Sequence, residues 1–300
     1  MQLSVVIPEY NYDCTQLVSD LRQSCEAAYG LSSYEILVID DGSSDTATTR
    51  SNSVIDQWPN CRFIRKPGNT GRAATRNEGI LQSSGNLVVI IDCDAEVCSP
   101  DFISRYLEAA RQETGSEYVI CGNIVTSPQY GRPDNQLRYR YELAAGRRRT
   151  LTHRNAHPYD SFTAFNVMIS RSVFGKIKFN ESFSQYGYED ALLGMQLKQT
   201  GIPVRHIDNP LVHTGIESND IFLRKTEQAL QNLYTHAALF PEGTPITRTA
   251  ARLRHMRLLP LLRRCHKWLG PLERRNLLGC RPSLFLFKLY KIGYYAGLHK

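Results

Sequence analysis

The 300-residue chain has no long hydrophobic run. Nowhere do the roughly eighteen uncharged apolar residues of a membrane-spanning helix follow one another, so no segment is expected to cross a bilayer. The opening MQLSVVIPEYN lacks the basic start and extended apolar stretch of a secretory signal, and an unexported, cytoplasmic protein is expected. Eight cysteines are present, at 14, 25, 61, 93, 98, 121, 265 and 280. They form no CxxC pair and no metal-ligand spacing with His, which excludes a disulfide scaffold and fits reduced thiols. The phosphate-cradling GxxxxGK[ST] is missing, which argues against a P-loop NTPase. No nucleic-acid-binding motif, internal repeat or low-complexity tract is found. With 42% hydrophobic and 22% charged residues the composition is globular, and the length suffices for one large domain or two ordinary ones.

What the chain does have is alternation. Short β-branched runs at 3–7, 34–40, 61–65 and 86–92 read as strands, and residues 14–28, 45–57 and 71–83 between them as amphipathic helices. A further helix is expected after Ser99-Pro100 as far as Glu113. This order predicts an α/β fold with a mostly parallel sheet flanked by helices. Strands are expected again at 118–125, 161–170 and 202–207, and helices at 188–201 and 218–239. Residues 126–160, with Arg147-Arg148-Arg149, read as partly helical and partly mobile. In such sheets ligands bind at the carboxyl ends of the strands. There lie Pro8 to Asn11, Asp40 to Ser43, and Asp92 with Asp94.

Each of these acids has two readings. Asp92 and Asp94, at i and i+2 on an extended loop, point the same way and can present oxygens to one hard cation; a solvated turn with Asp94 capping the next helix is the alternative. Asp41 can accept the N–H of a nucleobase, or Asp40-Asp41-Gly42-Ser43 can be a simple Asp-Gly turn with a helix cap. Arg72 and Arg76, at the start of a helix, suit a diphosphate or a salt-bridged surface. Glu189-Asp190 can cap a helix through its dipole or supply a general base beside a pocket wall.

Taken together, SVVIPEYN (4–11), VIDDGSSD (38–45), NTGRAATRNEG (69–79), IIDCDAEV (90–97), FTAFNVMISR (162–171), YGYEDALLGMQL (186–197) and HIDNPLVHTG (206–215) closely resemble the motifs of family 2 glycosyltransferases. The resemblance covers residues 1–240, and it implies a GT-A fold of Rossmann-like type and inverting transfer from a nucleotide-diphosphate sugar, expected to be a UDP-sugar. It further implies that Pro8, Tyr10 and Asp41 contact the nucleotide, with Arg72 or Arg76 near base or diphosphate and Asp92 at the ribose or donor sugar. Asp94 would ligate Mg²⁺ or Mn²⁺, together with Asp92 and, as in some relatives, His213, for which a structural hydrogen-bonding role is the alternative. Asp190 would be the catalytic base and Glu189 its acceptor-binding neighbour. The QxxRW element of processive synthases has only Arg264-Cys265-His266-Lys267-Trp268 as its nearest match, without the Arg before Trp. Single-sugar addition to a glycan or lipid-linked acceptor is therefore expected. A sugar-phosphate nucleotidyltransferase would need a Gly-rich GxGTRL-type loop where this chain has PEYN, and a non-catalytic nucleotide or glycan binder is disfavoured by the intact acidic motifs.

The net charge of +7 is unevenly held. Residues 248–300 carry 13 of the 36 Lys and Arg but only one of the 29 acids, Glu273, which leaves the tail at +12 and the preceding residues at −5. Residues 241–300 read as a basic, amphipathic helical extension in which Leu258 to Leu262, Trp268-Leu269 and Leu284 to Tyr295 interleave with Arg and Lys. Such a segment suits an anionic membrane interface, placing the protein peripherally on the inner face of the cell membrane; a helical cap packed on the body is the competing arrangement.

Overall fold

The computed structural model describes residues 1–183 and 186–299. In chain order the elements are β1 (Gln2–Glu9), α1 (Thr15–Ala27), β2 (Ser33–Asp40), α2 (Thr46–Asn52), β3 (Cys61–Arg65), α3 (Arg72–Gln82), β4 (Leu87–Ile91), β5 (Ala95–Val97), α4 (Phe102–Arg111), β6 (Val119–Val125), α5 (Gln136–Arg148), α6 (Leu151–Ala156), β7 (Asn166–Ser170), α7 (Glu189–Gln199), β8 (Val204–His213), α8 (Asn219–Thr235), α9 (Pro245–His255), α10 (Leu259–Leu277) and α11 (Leu284–Leu298). They form two compact units: Met1–Thr126 with Gly146–Ser184 and Glu189–Gly215, and Ser127–Ala145 with Gln185–Tyr188 and Ile216–Lys300.

The first unit is built on an eight-stranded sheet in the order β3-β2-β1-β4-β7-β6-β8-β5. Strands β3, β2, β1 and β4 are mutually parallel. Their side chains alternate between two buried faces, the pattern of a sheet covered on both sides. Leu3, Val5 and Ile7 join Ile36, Val38, Val89 and Ile91 in a core with α1 and α4. Val6, Leu37, Ile39, Val88 and Ile90 face the other way, toward α3 and α7. Beyond β4 the sheet becomes mixed, because β7 enters antiparallel between β4 and β6 while β8 runs parallel to β6.

Two strand boundaries differ markedly from those expected. The strand read at 161–170 begins only at Asn166, since the preceding residues are diverted to the site described below. The strand read at 202–207 continues to His213 through Asn209-Pro210. Pro210 is accommodated beside a register shift at Cys121/Asn123, and buried Asn209 donates to the Phe102 carbonyl at 3.0 Å. Within 126–160, helices occupy Gln136–Arg148 and Leu151–Ala156.

The second unit is helical. Leu137, Phe222, Leu223, Leu277, Phe287 and Tyr290 form its core. Asn219 ties the start of α8 to α5, accepting from the Leu137 N–H at 2.7 Å. Among the described residues no helix is long and apolar enough to cross a membrane.

Candidate active site

The carboxyl ends of β1 and β2 are joined by side chains of the two loops that follow them. Asn11, in a left-handed conformation (φ 53°), donates its backbone N–H to Ser43 Oγ at 2.8 Å and accepts from the Asp45 N–H at 2.8 Å. Gly42 has φ +73°, and a Cβ there would lie 2.6 Å from the Gly68 backbone, so the β2 loop requires glycine against the loop following β3. That apposition brings Asp41 to its donors. Its Oδ1 accepts from Lys66 Nζ at 2.7 Å and the Thr70 N–H at 2.9 Å. Its Oδ2 accepts from the Gly71 N–H at 2.9 Å, and a carboxylate oxygen has room for a second donor. Tyr10 stands exposed beside this loop pair, while Pro8 is buried at the end of β1.

Glu9 points inward beneath them. It accepts from the Tyr12 N–H at 2.8 Å and from Ser43 Oγ at 3.2 Å. Asp40, wholly buried, takes the Ser43 N–H at 2.7 Å, and Arg65 Nε stands 3.3 Å from its other oxygen without hydrogen-bond geometry. Burial, with the charge of Asp40 adding to it, pushes the Glu9 carboxyl up to about 7. The folded chain therefore keeps this proton over a range in which the unfolded chain, with an ordinary value of 4.5, has lost it. Stability contributed by the protonated group is complete below about 4.5 and is lost as pH rises through about 7. Glu9→Gln, permanently neutral, is expected to flatten this dependence: urea unfolding at pH 5 and pH 8 should show the variant gaining on the wild type at the higher pH. A stability difference that does not change with pH would contradict it.

The centre of the site is Arg76, on the first turns of α3. Its guanidinium is 1% exposed and lies over the Phe179 ring at 5.2 Å. One terminal nitrogen donates to Asp92 Oδ1 at 2.8 Å, and the other to Asp190 Oδ1 at 3.1 Å and Glu189 Oε1 at 3.4 Å. Burial works against the cation, and the three carboxylates more than reverse that, holding Arg76 above its ordinary value. Arg72, the second arginine expected at base or diphosphate, is 43% exposed and reaches to 3.7 Å from Asp92 Oδ2. Asp190 Oδ2 accepts from the Ala164 N–H at 3.0 Å and Thr163 Oγ1 at 3.2 Å. The next residue, Phe165, accepts from the Asp92 N–H at 3.2 Å. Residues 163–165 thus bind the end of β4 and the start of α7 together. Glu189 is buried, and desolvation reinforced by the charge of Asp190 raises its carboxyl above the usual range against the pull of Arg76.

Asp94 takes a different partner from Asp92. Its Oδ2 lies 3.0 Å from His213 Nε2, at the place where Ala95 of β5 pairs with His213 of β8. The Asp94 carbonyl accepts from the Thr214 N–H at 2.9 Å, and the His213 ring meets the Phe165 ring edge to face at 5.4 Å. A Cβ on Gly215 would fall on the Asp94 carboxylate, so that glycine leaves a cradle around it. The carboxylate suits Mn²⁺ or Mg²⁺, the imidazole beside it favours Mn²⁺ of the two, and most of a six-coordinate shell is left to other oxygens. Among the described residues no group of three or more His, Cys, Asp or Glu is gathered as a metal cage.

Some participants had no sequence signal. Lys66 binds Asp41, yet nothing local distinguishes it from a surface residue, and Thr70, although inside the motif at 69–79, carries no mark of its bond to Asp41. Thr163 and Ala164 fall within the strand expected at 161–170, and the motif at 162–171 does not mark them as donors to Asp190. Arg76 is one of the two expected cations, but its three acidic partners are delivered by two other elements, the end of β4 and the start of α7.

Residues 4–178 match the family model described as Glycosyl transferase family 2. A dolichol-phosphate mannosyltransferase of Pyrococcus furiosus is 30% identical over 134 residues, covering 43% of this chain and 37% of that protein. An undecaprenyl-phosphate 4-deoxy-4-formamido-L-arabinose transferase of Serratia proteamaculans is 32% identical over 130 residues, covering 43% and 38%. The chain therefore spans well under half the length of these curated relatives. Among solved structures, the mannosyltransferase PcManGT of Pyrobaculum calidifontis, in complex with GDP-Man and Mn2+, superposes with a TM-score of 0.60 at 13% identity, covering 98% of this chain and 84% of that one. The sheet order and this superposition identify the fold as GT-A type. With more than half of its length matched by the family model, the chain belongs to glycosyl transferase family 2.

Proposed function

We propose that the protein is an inverting glycosyltransferase that moves one sugar from a nucleotide-diphosphate donor to a hydroxyl of a glycan or lipid-linked acceptor. The observation that carries this reading is the convergence of Asp92 and Asp190 on Arg76, which puts a donor-side and an acceptor-side carboxylate at one guanidinium. Pro8, Tyr10 and Asp41 receive the nucleotide, Asp41 offering the remaining capacity of Oδ2 to a base N–H. Arg72, half-exposed beside Asp92, is placed to meet phosphate or sugar oxygens. Arg76 is assigned a positioning role, because its terminal nitrogens already serve three carboxylates. Asp94 and His213 would hold Mg²⁺ or Mn²⁺, whose charge offsets that developing on the departing diphosphate. Asp190, fixed by Arg76, Thr163 and Ala164, accepts the proton of the acceptor hydroxyl as its oxygen attacks the anomeric carbon opposite the leaving group. One such displacement inverts the centre. Glu189, held by Arg76 beside Asp190, is assigned to binding the acceptor.

The relatives named for dolichol and undecaprenyl phosphates support a lipid-linked acceptor, and the basic tail supports a peripheral position at an anionic membrane face. The donor class is tested by incubating the protein and Mn²⁺ with a panel of UDP- and GDP-sugars and measuring release of the nucleoside diphosphate. Calorimetric titration of the responding donor in Mn²⁺ should show Asp94→Ala weakening binding by at least about 10-fold, the loss that removal of even an outer-shell partner of a metal can bring. Unaltered affinity would remove Asp94 from the metal site. Formation of pyrophosphate in place of nucleoside diphosphate would instead indicate nucleotidyl transfer.

A further inference from the structure

We propose that the outward face of α10 docks on an anionic lipid bilayer, and that α11, the more apolar helix, does not. This narrows the membrane reading above to one helix face and rests on it.

The residues of α10 fall into three sectors. Leu259 and Leu277 are buried, and on the same side His266 bonds Glu273 at 2.6 Å and meets the Tyr290 ring of α11 at 5.1 Å. A second sector, with steps of seven and four residues, carries Leu261, Trp268 and Leu272, exposed by 59%, 75% and 62%, with Leu258 and Leu269 beside them. Large apolar side chains exposed together in this way mark an interaction surface. The third sector bears Arg264, Lys267 and Arg275, all exposed. The one acid of the tail, Glu273, is taken by His266, so the outer face offers cations alone beside its Trp and Leu stripe. That combination fits a lipid headgroup boundary: the indole and leucines enter the acyl edge while the cations meet anionic headgroups.

Helix α11 uses its apolar face otherwise. Phe287, Tyr290 and Tyr295 are buried, Phe287 against Phe222 of α8 at 5.5 Å between ring centroids. Tyr290 also donates to Glu227 at 2.5 Å. Phe285 is its one large apolar residue left well exposed, at 71%.

The chain has two tryptophans, so full-length protein carrying Trp58→Phe reports on Trp268 alone. It is mixed with vesicles of phosphatidylcholine alone and of phosphatidylcholine with equimolar phosphatidylglycerol. Blue-shifted emission and quenching by brominated acyl chains are expected with the anionic vesicles only, weakening as salt is added. Vesicle sedimentation should show L261E/L272E losing at least about 10-fold in affinity with an unchanged circular dichroism spectrum, and F285E binding as the parent does. Loss on F285E with retention by L261E/L272E overturns the α10 assignment while leaving a membrane-bound tail. Absence of binding by the parent to either vesicle overturns both, as does a Trp268 shift that follows protein concentration without lipid, which would indicate a second copy on this face.

Discussion

Asp190→Asn should lower the turnover number by about 10²- to 10⁴-fold, the range that a positioned general base contributes, while leaving donor affinity close to that of the wild type. The asparagine occupies the same volume and still presents an oxygen to the Ala164 N–H or to Arg76, so the pocket survives without its proton acceptor. Arg76 also keeps Asp92 and Glu189 as partners. The measurement is nucleoside diphosphate release in the presence of a responding acceptor, with donor binding titrated in parallel. Turnover equal to the wild type would transfer the base role to another group, and it would favour a protein that merely binds nucleotide or glycan. A loss confined to KM would assign Asp190 to acceptor binding.

Arg76→Met is expected to be the most destabilising single change at the site. The guanidinium is buried among Asp92, Glu189 and Asp190, and its removal leaves their charges without a cation in a poorly solvated place. Breaking a buried ion pair costs about 3–5 kcal/mol, which for a chain of this size lowers the melting temperature on the order of 10 °C. Arg76→Lys should recover part of this loss, since a compact ammonium cannot span three acids presented from two elements. Its turnover number should fall more than its donor affinity, because Asp190 loses its orientation while Asp94 and Asp41 keep theirs. A melting temperature for Arg76→Met within a degree or two of the wild type would show the three acids to be satisfied by water or by one another.

Much of the first unit was legible because its strands obey a simple rule. LSVVI, YEILVID and NLVVIID, β-branched runs separated by amphipathic stretches, read as parallel strands of a sheet covered by helices, and Asp41, Asp92 and Asp94 follow as residues delivered to the strand ends. What was not legible arises from contacts distant in the chain. Three-residue β5 is too short to show a period, and the antiparallel entry of β7 is set by partners on either side of it, β4 and β6. Arg76 illustrates the same limit at the site: GRAATRNEG places a cation on an early helical turn, but its direction depends on how α3 packs and on where α7 begins. The tail shows it once more. Leu and Tyr clusters occur in α10 and α11 alike, and only the packing of α11 against α8 decides which of them reaches water.

The entry of β7 between β4 and β6 bears on how the polypeptide is made. A nascent chain released from the ribosome only as far as Ile91 can assemble β3, β2, β1 and β4, yet the outer side of β4 then shows unpaired amides until Asn166 to Ser170 emerge. Such a margin is an invitation to pairing with neighbouring chains. Stalled or clipped products ending before residue 166 should accumulate in inclusion bodies, whereas products extending past Ser170 have the means to close that border themselves.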